Sequence, residues 1–193
     1  MEKHGSSGNS YFSTETPTDL AISMNDMSLS SDNGNKKISF VRYNPNVPQL
    51  ITTRKGYQKL VYQGHIYNIF QLVPDRNFKS WRCVRAMKMS DDGLWCKCRA
   101  ETTMDDNNVY LKGIHSHLPE HRVAEIKFMR AQLFVAAVEN PGYDAGELIN
   151  QASMYLSDEV SFDSKENLRE SIENLRESLA RERDEKLRTK TAN

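Results

Sequence analysis

Cys83, Cys96, Cys98, His115 and His117 are the residues of this chain whose types and spacing could do chemistry. Zinc takes four soft or borderline donors in a tetrahedron, and two thiolates with two imidazoles supply that set. His115 and His117 stand at i and i+2, so on a strand both imidazoles share one face. The spacing is not that of the common ββα finger. Twelve residues separate Cys83 from Cys96, one separates Cys96 from Cys98, and the pair His117 and His121 has no correctly placed cysteine pair before it. Three cysteines are an odd number for a disulfide framework, and the start of the chain lacks the apolar stretch of a secretion signal. Metal ligation or buried free thiols are therefore expected. On parity, Cys96 and Cys98 are equivalent as the second thiolate.

Such donors need strands to present them. Residues 58–69 hold two short β-type runs around Gly64 and read as a hairpin; 80–86 and 95–102 alternate and read as third and fourth strands. A turn at Asn107-Asn108 precedes a last strand that starts at Val109 and leads to His115. The expectation is an antiparallel meander. A sheet of this size has little interior, so a structural metal would contribute folding free energy outright.

After Pro119 the period becomes helical, with Ile126, Met129, Leu133 and Ala137 on one face. Asn140-Pro141-Gly142 ends that helix, and Asp144 with Glu147 forms a capping box for a second one, through about Leu156. Residues 122–157 thus read as a helical hairpin and 158–193 as a charged helix. Leu168, Ile172, Leu175 and Leu179 follow heptad spacing, but Glu182 and Lys186 take the next seam positions. Two heptads fit both a solvated helix laced with i,i+4 charge pairs and a short coiled coil self-associating through residues 166–187. Residues 1–39 are dense in Ser, Thr, Asn, Gly and Asp and read as a disordered tail.

The landmarks in 50–121 resemble the FLYWCH-type zinc finger: Leu50 through Gly56, Leu60, Gly64-His65-Ile66-Tyr67, Trp81-Arg82-Cys83, Cys96-Lys97-Cys98-Arg99 and Gly113-Ile114-His115-Ser116-His117. Leu50 stands where that family usually has Phe, His65 where it usually has Tyr, and the interval between Cys83 and Cys96 is longer, with a loop at 90–93. The resemblance implies a small antiparallel β zinc-binding domain of WRKY-like type, followed here by an α-helical extension. It implies one structural zinc per chain on Cys83, Cys96, His115 and His117, with Cys98 in the small-residue slot.

Charge and composition bound the rest. The chain has 26 basic and 26 acidic residues, and mean hydropathy is −0.70. Residues 50–122 nonetheless hold twelve Lys/Arg against seven Asp/Glu, an excess of +5. Arg54, Lys55, Lys59, Arg82, Arg85, Lys97 and Arg99 are the candidates for meeting phosphates. Trp81, Trp95, Tyr62, Tyr67 and Tyr110 read as packing residues rather than base-stacking groups. The expected function is a sequence-specific regulator of transcription, nuclear, bound to double-stranded DNA through the finger. The alternative is a zinc-stapled protein-interaction module of a chromatin or transposon-derived protein. A closed four-ligand site leaves no zinc position for water, and no phosphate loop, nucleophile elbow or carboxylate pair is present, so no enzyme is expected. No apolar run nears the roughly 18 residues of a membrane helix, and a soluble intracellular protein is expected.

Overall fold

A computed structural model describes residues 38–87, 95–106 and 108–191, all within the unit Lys37–Asn193. The tail through residue 37, the 90–93 loop and Asn107 lie outside the described residues.

Six strands form one sheet in sequential order, each antiparallel to the next: β1 Gln49–Thr52, β2 Gln58–Tyr62, β3 His65–Val73, β4 Phe78–Cys83, β5 Arg99–Thr103 and β6 Tyr110–Lys112. The meander expected from sequence is present, with one strand more. β1 is only four residues long and pairs Leu50 with Leu60 and Ile51 with Lys59. The fourth expected strand starts at Arg99 rather than at Trp95.

Gln63 and Gly64, at φ 50° and 73°, make the two-residue turn between β2 and β3. Positive φ at both central positions matches the twist of the strands it joins. Gly64 is required for a second reason: a Cβ there would lie 2.8 Å from the Pro119 Cβ and 2.9 Å from the His121 ring.

Side chains alternate across the sheet. One face buries Leu60, Tyr67, Trp81, Cys83 and Ala100 together with Cys96 and Cys98. Trp81 Nε1 donates to Thr102 Oγ1 at 2.9 Å, so the buried indole keeps its hydrogen bond. At one end of the opposite face Ile51, Val61 and Ile66 are covered by Ala124 and Phe128 of helix α1, His121–Glu139. Further along that face Arg99 and Lys112 are exposed and Arg82 is half-buried.

Helices α2, Ala145–Ser153, and α3, Lys165–Thr191, pack on the far side of α1. Met129, Leu133, Ala137, Leu148, Ile149, Leu168 and Ile172 are among the buried residues they share. α1 therefore buries two stripes, one to the sheet and one to the helices. The N-cap half of the expected capping box forms, with the Asp144 side chain accepting from Glu147 N at 2.8 Å, whereas the Glu147 carboxylate accepts from the Tyr143 hydroxyl at 3.4 Å. Arg176 of α3 donates to the carbonyls of Ala137 and Asn140 at 3.2 and 3.0 Å. It thereby satisfies and neutralises the negative end of α1. Leu168 and Ile172, the first half of the heptad seam, lie in this chain's own core, whereas residues 180–190 are exposed. Among the described residues no helix is long and apolar enough to cross a membrane.

Candidate metal centre and the basic face of the sheet

Three stretches meet beyond the sheet. β4 ends on Cys83, the extended segment 95–98 leads into β5, and the loop 113–120 joins β6 to α1. Cys83 Sγ lies 3.2 Å from His117 Nε2, Cys96 Sγ 3.3 Å from His115 Nδ1, and His115 Nδ1 3.3 Å from His117 Nε2. All four donor atoms fall within 4.8 Å of one another. Zinc–nitrogen and zinc–sulfur lengths of about 2.0–2.3 Å imply tetrahedral edges of roughly 3.3–3.8 Å, so the four fit one such ion.

The histidines do not reach this arrangement as strand neighbours. Gly113, at φ 85°, turns the chain out of the sheet after Lys112, and His115 and His117 point inward from the loop while Ile114 and Leu118 point out. Cys98 stays apart from the group. Its carbonyl accepts from Cys83 N at 3.4 Å, and its buried Sγ lies 3.6 Å from the Gly113 carbonyl. Packing between strands thus separates two thiols that parity leaves equivalent.

Protonation chemistry agrees with a cation. Burial, with the neighbouring thiol of Cys96, pushes the Cys83 thiol up to about 12. Burial, then the His65 and His117 rings, pushes His115 down to about 4, so its lone pair is free at neutral pH. A divalent ion is the partner that would let buried thiols ionise.

Both imidazoles are also held from behind. His115 Nε2 lies 2.9 Å from the Tyr67 hydroxyl, and His117 Nδ1 lies 3.0 Å from the Leu118 carbonyl. With those nitrogens carrying the protons, Nδ1 of His115 and Nε2 of His117 are left to face the other donors. His65 stacks on His115 at 3.5 Å between centroids and 5° between planes. Neither Tyr67 nor His65 is singled out for this by its type or spacing. The signal for Tyr67 is its register with Cys83 across β3 and β4, which only the strand pairing reveals.

A six-stranded meander with a Cys2His2 group at its end is the architecture of a small metal-stapled β-module. Residues 50–117 match the family described as FLYWCH zinc finger domain. The FLYWCH-type zinc finger-containing protein peb-1 of Caenorhabditis elegans is 61% identical over 171 residues, which are 89% of this chain and 38% of that protein. The protein of the same name from Caenorhabditis briggsae is 56% identical over 191 residues, 99% of this chain and 44% of that protein. The chain thus spans about two-fifths of the length of these relatives. No solved structure matches it.

The basic candidates divide by position. Lys59, Arg82 and Arg99 fall in one cross-strand row, Lys59–Asn68–Arg82–Arg99–Lys112, on the face of the sheet away from the cysteines. Lys97 shares the parity of Arg99 and is exposed. Lys59 donates to Asn68 Oδ1 at 2.7 Å; burial, then the charge of Lys127 on α1, lowers its ammonium. Lys112 pairs with Glu101 at 2.7 Å, and Arg85 is ion-paired with Glu120 beside the metal loop. Arg54 and Lys55 are exposed on the turn between β1 and β2. Of the aromatic residues, Trp81 and Tyr67 are core, whereas Trp95 and Tyr110 are exposed. Phe70, half-exposed in β3, lies against Arg82 and Arg99, and neither its type nor its spacing singles it out.

Proposed function

We propose that this chain is a sequence-specific DNA-binding regulator of transcription, acting in the nucleus on double-stranded DNA through its FLYWCH finger. One structural zinc on Cys83, Cys96, His115 and His117 ties the end of β4 to the segment before β5 and to the loop entering α1. When bound, the ion supplies a fixed positive centre on which both thiolates can form. The chain's own residues do the binding. β4 and β5 hold Arg82 and Arg99 as register partners, and Cys83 and Cys96 are buried on the side away from them.

The observation that carries this reading is the cationic row across the face that bears Arg82 and Arg99. Adjacent strands lie about 4.8 Å apart, so side chains along such a row meet a polyanion at several points. The regional excess of +5 adds to the attraction.

The second reading, a protein-interaction module, draws on Ile114 and Leu118, which are 92% and 84% exposed on the metal loop. Selection from randomised duplexes with the zinc-loaded chain, followed by affinity across a salt series, separates the two. DNA binding requires discrimination between sequences and a slope of log K on log salt of about −0.9 per phosphate contacted. No affinity for any duplex at low salt would leave the interaction module standing.

A further inference from the structure

β3 carries one residue more than β4 between the pairs Ile69–Trp81 and Gln71–Ser80, and that residue is Phe70. A bulge of this kind re-aims the side chain it inserts. Phe70 is 47% exposed and belongs to none of the buried clusters among the described residues. What it touches is charge: the Arg82 guanidinium carbon lies 3.9 Å from its ring centroid and that of Arg99 5.1 Å.

Arg82 and Arg99 face each other directly across β4 and β5, where like charges ordinarily destabilise a sheet. Neither has a carboxylate partner among the described residues. A π-face attracts both cations without neutralising either. The bulge therefore keeps two planar guanidinium groups side by side, without a carboxylate partner among the described residues, and Lys97 and Trp95 line the same groove. Guanidinium forks match the paired oxygens of a phosphate better than an ammonium does. Because Arg82 sits over the Phe70 ring, the face it covers is not free for a base. Its part is to hold the arginines.

We propose that Arg82 and Arg99 clamp a single backbone phosphodiester of bound DNA, and that Phe70 is the positioning residue of the clamp. The proposal rests on the DNA-binding reading above. The Lys59-to-Lys112 row on either side favours a repeating anion over an isolated one.

The test is fluorescence anisotropy of the full zinc-loaded chain on its selected duplex across a salt series. Zinc content and circular dichroism serve as controls for folding. Arg82→Ala and Arg99→Ala should each weaken binding. Because both act on one phosphate, the double variant should lower the salt slope by about one contact, not two. Phe70→Ala should weaken binding roughly three- to thirtyfold with the slope unchanged, and Phe70→Tyr should restore it. Should Phe70→Ala fail to fold, Arg82→Lys asks the same question, since it keeps the charge and loses the planar fork; the expected result is weaker binding at an unchanged slope. Wild-type binding that none of these variants alters, or a slope that falls by two in the double variant, overturns the clamp alone. Absence of salt-sensitive binding by the wild-type chain overturns the DNA reading and the clamp with it.

Discussion

Among the described residues, the helices share a cluster of thirteen buried side chains, Phe40 to Ile172, all aliphatic, aromatic or methionine. The metal-facing side of the sheet has seven, and three of those are cysteines. Apolar burial at about 25 cal/mol per Å2 is enough to hold the first cluster together. The second contains little beyond Leu60, Tyr67, Trp81 and Ala100 that water would expel. A cation on the four donors would add to that small core, whereas the helical cluster holds no such donor group. The two parts meet at α1, whose first residue follows the last metal donor by four positions.

Metal removal should separate them most widely. Structural zinc contributes on the order of 10 kcal/mol in finger peptides, so chelation should abolish the near-ultraviolet signal of Trp81 while most of the helical far-ultraviolet signal persists. Loss of both signals in one transition would mean that the helices depend on the sheet. The reverse case is Ile172→Ala, which should cost about 2–5 kcal/mol in denaturant unfolding of the helices and leave one zinc per chain. Tyr67→Phe removes only the hydroxyl behind His115. It should weaken zinc binding about 10–100-fold in a chelator competition, with the unfolding of the helical cluster unchanged. Asp144→Ala, at the cap of α2, should cost about 1 kcal/mol and leave zinc affinity at its wild-type value.

The same division governs what the sequence makes legible. The Gly64 hairpin and the Asp144 N-cap follow from local chemistry and stand where local chemistry puts them, whereas the Trp81 strand, expected over 80–86, runs from Phe78 to Cys83 and gives way to a 3-10 turn at Val84–Met87. The four donors are legible through the resemblance to the FLYWCH-type finger that the order of thiols and imidazoles carries. Their geometry is not: strand parity accounts neither for His115 and His117, which a glycine turn carries into a loop, nor for the choice of Cys96 over Cys98, which rests on packing against Gly113. β1 escapes notice because four residues, only one of them fully buried, give too short an alternation. α1 shows one stripe in its pattern but buries two, because a helix lying between a sheet and other helices loses its single polar face. The Leu168–Ile172 seam has the spacing of a coiled coil and is used internally, since heptad spacing does not name the partner. Phe70 is invisible for the plainest reason. A bulge exists only relative to the neighbouring strand.

Cobalt(II) substitution of the full chain tests the convergence of the four donors most directly, because its visible spectrum reports both coordination number and thiolate ligation. One cobalt per chain is expected, with intense tetrahedral bands and two thiolates' worth of charge-transfer absorption. Cys83→Ser and Cys96→Ser should each halve that absorption, and Cys98→Ser should leave it intact. A weak octahedral spectrum, or charge transfer that survives Cys83→Ser and disappears with Cys98→Ser, would contradict the site described above.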